Sequence, residues 1–398
     1  MCYCLYGGNY DHNERLFLQK IDKWEKPLKP FKCEDIDVSQ DFNTYYYSRK
    51  KVDYKKGIKV TTISRTKKVS DLVVNKENSF KDVEKYLVFG EKKAAQMSDT
   101  TSAFSYLSDE HDFSKIIGDS SYEYRTGVEF TPQELYMLTG FGTSKKANYY
   151  RFGNKKFARS KYVVDDMPKN GWELPTEYIY PIVTGPSITP FKCSLENEYC
   201  ILPYSETRTD APIGVADMMA TNNDLFTYLL NHQTLIDSQS EKSKDMHRGE
   251  EFYALSKIGP YTFAKYIVAA RDNTKFCSTV IEPTTTPWGV EKQSICVKHT
   301  MIIGRDNSGR FITKDEAHFI NGILNCDIVI EYMQNTFKSN GYSLKKSRFY
   351  LPLYDKTNTY HKKISDLSKK ATMETDSKKI AKLQKDISDL YVKMCESR

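Results

Sequence analysis

Residues 250–272 read EEFYALSKIGPYTFAKYIVAARD, from Glu250 to Asp272. Phe252, Tyr253, Tyr261, Phe263 and Tyr266 surround a Gly259-Pro260 break, and Lys257, Lys265 and Arg271 are set among them. Lys265 to Arg271 predicts a strand, because Tyr266, Ile267 and Val268 are good β-formers. A strand behind a Gly-Pro break, with cations between aromatics, suits a nucleic-acid surface. It also suits a core hairpin whose lysine side chains only reach solvent.

Around this stretch, residues 116–355 read as one mixed α/β unit. Thr131-Pro132-Gln-Glu134 fits a helix start, with Thr131 as N-cap and Pro132 at the first helical position. Tyr178 to Val183 is strand-like, and Thr184-Gly-Pro-Ser187 breaks it. Asn222 to Ile236 predicts a helix with Leu225, Leu229 and Leu230 on one side. Ser294 to Ile303 predicts another strand. Thr313 and Glu316 form a capping-box pair, and the helix continues over Ala317 to Tyr332. Ser347 to Leu353 closes the unit as a short strand.

Residues 1–115 carry lysine-rich stretches and short β-like runs at Lys59–Ile63 and Tyr86–Phe89, and their fold is open. Residues 356–398 predict a basic helical tail. There Ile380, Leu383, Ile387, Leu390 and Met394 form a heptad-like stripe. The stripe suits packing on the same chain or docking to another. The fold class expected is α+β (mixed α/β), with short strands and helices followed by that tail.

The 398 residues allow two or three domains, and 39% hydrophobic with 28% charged residues suits a globular chain. No run of about 18 apolar residues predicts a membrane span. The first twenty residues lack a basic leader and a long apolar segment. Nine scattered cysteines predict reduced thiols and a cytoplasmic protein. A net charge of +7 permits a polyanionic partner without demanding one. The 29 tyrosines join stacking rings to hydrogen-bonding tips.

The densest basic segment is GTSKKANYYRFGNKKFARSKY, from Gly142 to Tyr162. Its seven cations, with no acid among them, are interleaved with Tyr149, Tyr150, Phe152, Phe157 and Tyr162. Lysines neutralise phosphates, and arginine or asparagine reads base edges, so the segment suits DNA; it also suits a solvated hairpin. Other chemistry is thinly represented. Cys296 and His299 with Cys193 and Cys200 match no common zinc spacing, and no metal site is assigned. Asp71 with Glu91-Lys92-Lys93 loosely fits a metal-dependent nuclease. No Gly-x-x-x-x-Gly-Lys phosphate loop is present. Neither is a glycine-rich cofactor loop, nor an Asn/Asp-Pro-Pro-Tyr tetrapeptide.

Several blocks in order resemble the target-recognition domain of adenine-N6 DNA methyltransferases. The likeness is to the TaqI-like C-terminal specificity domains and the Type IIG restriction-modification enzymes. The blocks are Tyr124-Arg-Thr-Gly127, Glu177 to Ile188, Phe252 to Val268, Asp315 to Asn325 and Arg348 to Asp355. They span about Tyr122 to Met394. Ser187 stands where many relatives have Asp, and Cys326 where many have Ser.

The resemblance implies sequence-specific recognition of duplex DNA without a catalytic residue in this chain. S-adenosylmethionine is then expected in a catalytic methyltransferase partner, docked through the C-terminal helices, and no cofactor is expected here. Candidate DNA contacts are Arg125, Lys145, Lys146, Arg151, Lys155, Lys156, Arg159, Lys161, Ser187, Lys257, Tyr261 and Lys265. Two alternatives stay open: a metal-dependent restriction endonuclease with its nuclease in residues 1–115, and a non-enzymatic partner-binding protein.

Overall fold

The computed structural model describes residues 3–5, 43–45, 54–65, 87–97, 104–157, 164–239, 244–337 and 341–398. The chain forms two compact units, Met1–Ile117 and Gly118–Arg398.

In the first unit, β1 (Tyr3–Leu5) pairs antiparallel with β2 (Asn43–Tyr45). β3 (Ile58–Arg65), β4 (Leu87–Gln96) and β5 (Phe104–Tyr106) form an antiparallel meander. β3 is rich in β-branched residues, which fit a pleated surface. Asp71 lies outside the described residues. Its proposed companion Glu91 is exposed and ion-paired with Lys59 across the β3–β4 ladder.

The second unit is mixed α+β and ends in helices, as its pattern predicts. Its strands are β6 (Arg125–Thr126), β7 (Met137–Thr143), β8 (Tyr149–Asn154), β9 (Trp172–Pro175), β10 (Ile179–Val183), β11 (Ile188–Thr189), β12 (Lys192–Cys193) and β13 (Glu198–Ile201). Later come β14 (Ile267–Arg271), β15 (Ser278–Ile281), β16 (Thr284–Thr285), β17 (Glu291–Lys292), β18 (Ile295–Cys296) and β19 (Thr300–Ile303). A six-stranded sheet has the order β18-β10-β13-β7-β8-β9, and a four-stranded sheet the order β15-β14-β19-β6. Every neighbouring pair is antiparallel except β10 and β18. The expected strand Ser294–Ile303 is therefore two, one in each sheet. The chain turns between them at His299, which has a left-handed φ of 72°.

A single helical turn, α1 (Gln133–Tyr136), precedes β7. The expected capping by Thr131 does not occur. Pro132 is the N-cap, and no side chain caps the turn. The helix predicted over Asn222–Ile236 is also divided, into α3 (Asn223–Asn231) and α4 (Gln233–Asp237), after α2 (Val215–Thr221). His232 sits at the break, its Nδ1 2.7 Å from the Tyr228 carbonyl and its Nε2 2.9 Å from Asp166. Leu225 and Leu229 enter the core against the six-stranded sheet, whereas Leu230 is exposed.

α5 (Lys314–Asn325) starts at the expected capping box. Glu316 N donates to Thr313 Oγ1 at 3.3 Å, and Thr313 N donates to Glu316 Oε2 at 3.2 Å. The helix stops at Cys326, whose backbone is extended, and α6 (Asp327–Thr336) follows. Two fully buried asparagines dock α5 on β15. Asn325 Oδ1 accepts from Ser278 N at 3.0 Å, and Asn325 Nδ2 donates to Ser278 O at 2.9 Å. Ser278 Oγ donates to Asn321 Oδ1 at 2.8 Å.

α7 (Thr359–Met373) crosses α5 at Gly322, where a Cβ would stand 2.9 Å from Ile364 Cγ2. α8 (Ser377–Glu396) buries Ile387 and Met394 of the heptad-like stripe inside this same unit. Each such burial contributes about 1.5–3 kcal/mol. Ile380, Leu383 and Leu390 are half-buried. Among the described residues, no helix is long and apolar enough to cross a membrane.

Candidate nucleic-acid interface

Backbone packing brings the Val128–Glu134 segment, the Thr184 turn and the Val297–His299 segment to one cleft. At Gly127 a Cβ would lie 2.3 Å from Val297 O and 2.4 Å from Cys296 O, so only glycine lets these segments touch. Val128 N then donates to Cys296 O at 2.8 Å, and Val297 N donates to Val183 O at 3.0 Å. Glu129 bridges to Ser256, three residues before Gly259. The result is a cleft of about 610 Å³. It is lined by Val128–Glu134, Met137, Lys155, Phe157, Thr184, Pro186 and Val297–His299.

The cleft mouth is charged. Glu129 takes Lys257 Nζ at 2.7 Å and also pairs with Lys298. Burial raises the Glu129 carboxyl, but hydrogen bonds from the two lysines and their charges outweigh it and hold it below the usual range. One carboxylate thus serves two cations, leaving one positive charge in excess. Lys257 (φ 61°) and His299 (φ 72°) both have left-handed backbones beside the cleft. Non-glycine residues in that region cost about 1 kcal/mol or more and cluster at functional sites.

Much of the basic segment forms the β7–β8 hairpin, and among the described residues its cations do not share one end. Lys145 and Lys146 occupy the tip, while Lys155 and Lys156 follow the far end of β8. A six-residue strand separates those ends by roughly 20 Å. Lys146 is held 3.2 Å from Asp224 and 3.6 Å from Glu173. Arg151 donates to the Thr143 carbonyl at 3.0 Å. Lys155 pairs with Glu198 and is only 23% exposed. Lys145 and Lys156 are exposed. Arg159 and Lys161 lie outside the described residues.

The other candidates divide in the same way. Arg125 pairs with Glu123 and stands 5.4 Å over the Tyr261 ring, which is itself buried. Ser187 is buried, with its Oγ 2.8 Å from Thr184 Oγ1. It closes its own turn rather than facing solvent. Lys265 is exposed, 5.7 Å over Tyr266. Sequence reasoning missed Glu129 and Lys298. The only signal for them was their nearness to Gly127 and to the Cys296–His299 pair.

Among the described residues, no three His, Cys, Asp or Glu side chains converge on a metal position. Burial pushes the Cys193 thiol up to about 11, and Cys200 and Cys296 further. No protein-family model matches the chain, and no curated protein matches it.

Proposed function

We propose that this chain is the DNA target-recognition part of an adenine-N6 methylation or restriction-modification system. The observation that carries the reading is that the Thr184 turn lines the cleft, Gly127 precedes its Val128–Glu134 wall, and Lys257 pairs with Glu129 of that wall. All three belong to the blocks that resemble target-recognition domains. The excess cation at Glu129 and the exposed Lys156 and Lys265 supply phosphate contacts, which position a duplex without reading it. Base edges are then read by polar groups at the mouth. S-adenosylmethionine belongs in this reading to a catalytic partner, and no residue here is given a role toward it.

The test is selection from a random duplex library by the purified chain at two salt concentrations. Enrichment of one short motif, weakened by salt, is the expected result. No binding at low salt overturns the reading.

A further inference from the structure

Three arginines from distant parts of the chain stand around Tyr261. Gly259 makes room for the Tyr261 ring, since a Cβ there would stand 2.4 Å from its Cε1. The Arg125 guanidinium lies 5.4 Å over that ring. Arg305 is tied to the segment before β6, where Glu123 N donates to Arg305 O at 3.0 Å. The Arg248 backbone is fixed as well. Its N donates to Leu255 O at 2.8 Å, and its O accepts from the Tyr204 hydroxyl at 2.8 Å. Burial raises the Tyr261 hydroxyl and so does Glu123, while the charges of Arg125, Arg248 and Arg305 pull it down, so all three lie near it.

Their charges are not balanced. Glu123 takes the Nε and Nη2 of Arg125 on one oxygen, and those of Arg305 on the other at 3.2 and 3.0 Å. Nη1 of each stays unpaired among the described residues, and Arg248 is exposed with no ion pair there. The Tyr261 hydroxyl likewise has no hydrogen bond among them. Three arginines against one carboxylate leave two positive charges in excess.

The unused donors are two Nη1 groups, the Arg248 fork and a phenol. Arginine forks match carboxylates and phosphates. A carboxylate or an internal phosphodiester offers two free oxygens and one charge. A phosphate monoester offers three oxygens and nearly two charges, which fits both the donors and the excess. Phe311 is exposed 5.9 Å from the Arg305 guanidinium and offers a ring for stacking beside the site.

We propose that Arg125, Arg248, Arg305 and the Tyr261 hydroxyl form a binding site for a phosphate monoester, carried by a free nucleotide or by the phosphorylated end of a nucleic-acid strand. The site does not depend on the function proposed above.

The experiment is calorimetric titration of the full chain with two pairs of probes. One pair is adenosine monophosphate and cyclic adenosine monophosphate, a monoester and a diester of the same nucleoside. The other is a short duplex with phosphorylated ends and the same duplex with hydroxyl ends. The monoester is expected to bind about tenfold more tightly than its partner. Preference in the nucleotide pair alone assigns the site to a free nucleotide, and preference in the duplex pair alone to a strand end. Arg248→Ala should leave Tm unchanged and remove most of the preference, and Arg248→Lys should restore part of it by charge without the fork. Equal affinity within both pairs, or no binding in either, overturns the proposal. So does an Arg248→Ala variant that keeps the preference.

Discussion

The Lys257 ammonium lies 2.7 Å from the Glu129 carboxylate. The same carboxylate pairs with Lys298, so one acid restrains two cations at the cleft mouth. Glu129→Gln releases both. If they meet phosphates, the variant binds duplex DNA more tightly at low salt. The slope of log K against log salt then steepens by about 1. Fluorescence anisotropy across a salt series measures this, and an unchanged slope takes the cleft mouth off the DNA face.

Lys155 and Lys156 are neighbours with different work. Lys155→Ala leaves Glu198 half-buried and unpaired, which costs roughly 1–3 kcal/mol of stability and leaves the salt slope alone. Lys156→Ala alters stability by less than about 0.5 kcal/mol. It flattens the slope by about 0.9 if that lysine holds one phosphate. Urea denaturation paired with the salt series separates the two, and the reverse assignment would refute it.

Asn325 holds both backbone groups of Ser278, at 3.0 and 2.9 Å. Asn325→Leu leaves Ser278 N without its acceptor between α5 and β15, at a cost of about 1–3 kcal/mol, whereas Ser278 O keeps Phe191 N at 2.9 Å. The urea midpoint should fall accordingly, while molecules that remain folded keep their DNA affinity. A variant of normal stability that loses DNA binding would give this asparagine a direct role instead.

His318 on α5 is buried, and burial, aided by the positive charge of Lys369, lowers its folded pKa to about 4. In the unfolded chain it titrates near 6.5. Between those values the unfolded state binds more protons, so stability falls as pH drops from 6.5 toward 4. The loss from this one residue approaches about 3 kcal/mol. His318→Leu should flatten the acid limb of a stability–pH curve over that window. An identical limb would place the acid sensitivity elsewhere.

Local signals in the sequence were readable where the structure uses them locally. The Thr313–Glu316 cap starts α5, and Ile267 and Val268 open β14. The stripe at Ile387 and Met394 becomes the buried side of α8. Breaks were less legible. His232, Cys326 and His299 end elements that periodicity would carry through.

Composition and periodicity determined the α+β class, the Thr313–Glu316 cap and the apolar faces, since these depend on residues a few positions apart. The density of cations in Gly142–Tyr162 was equally plain, but not which of them stay free. Lys155 is neutralised by Glu198 forty-three residues away, and Lys298 by Glu129 across 169 residues. Only tertiary structure decides such partners, because charges pair through space and the sheet order sets which distant strands meet.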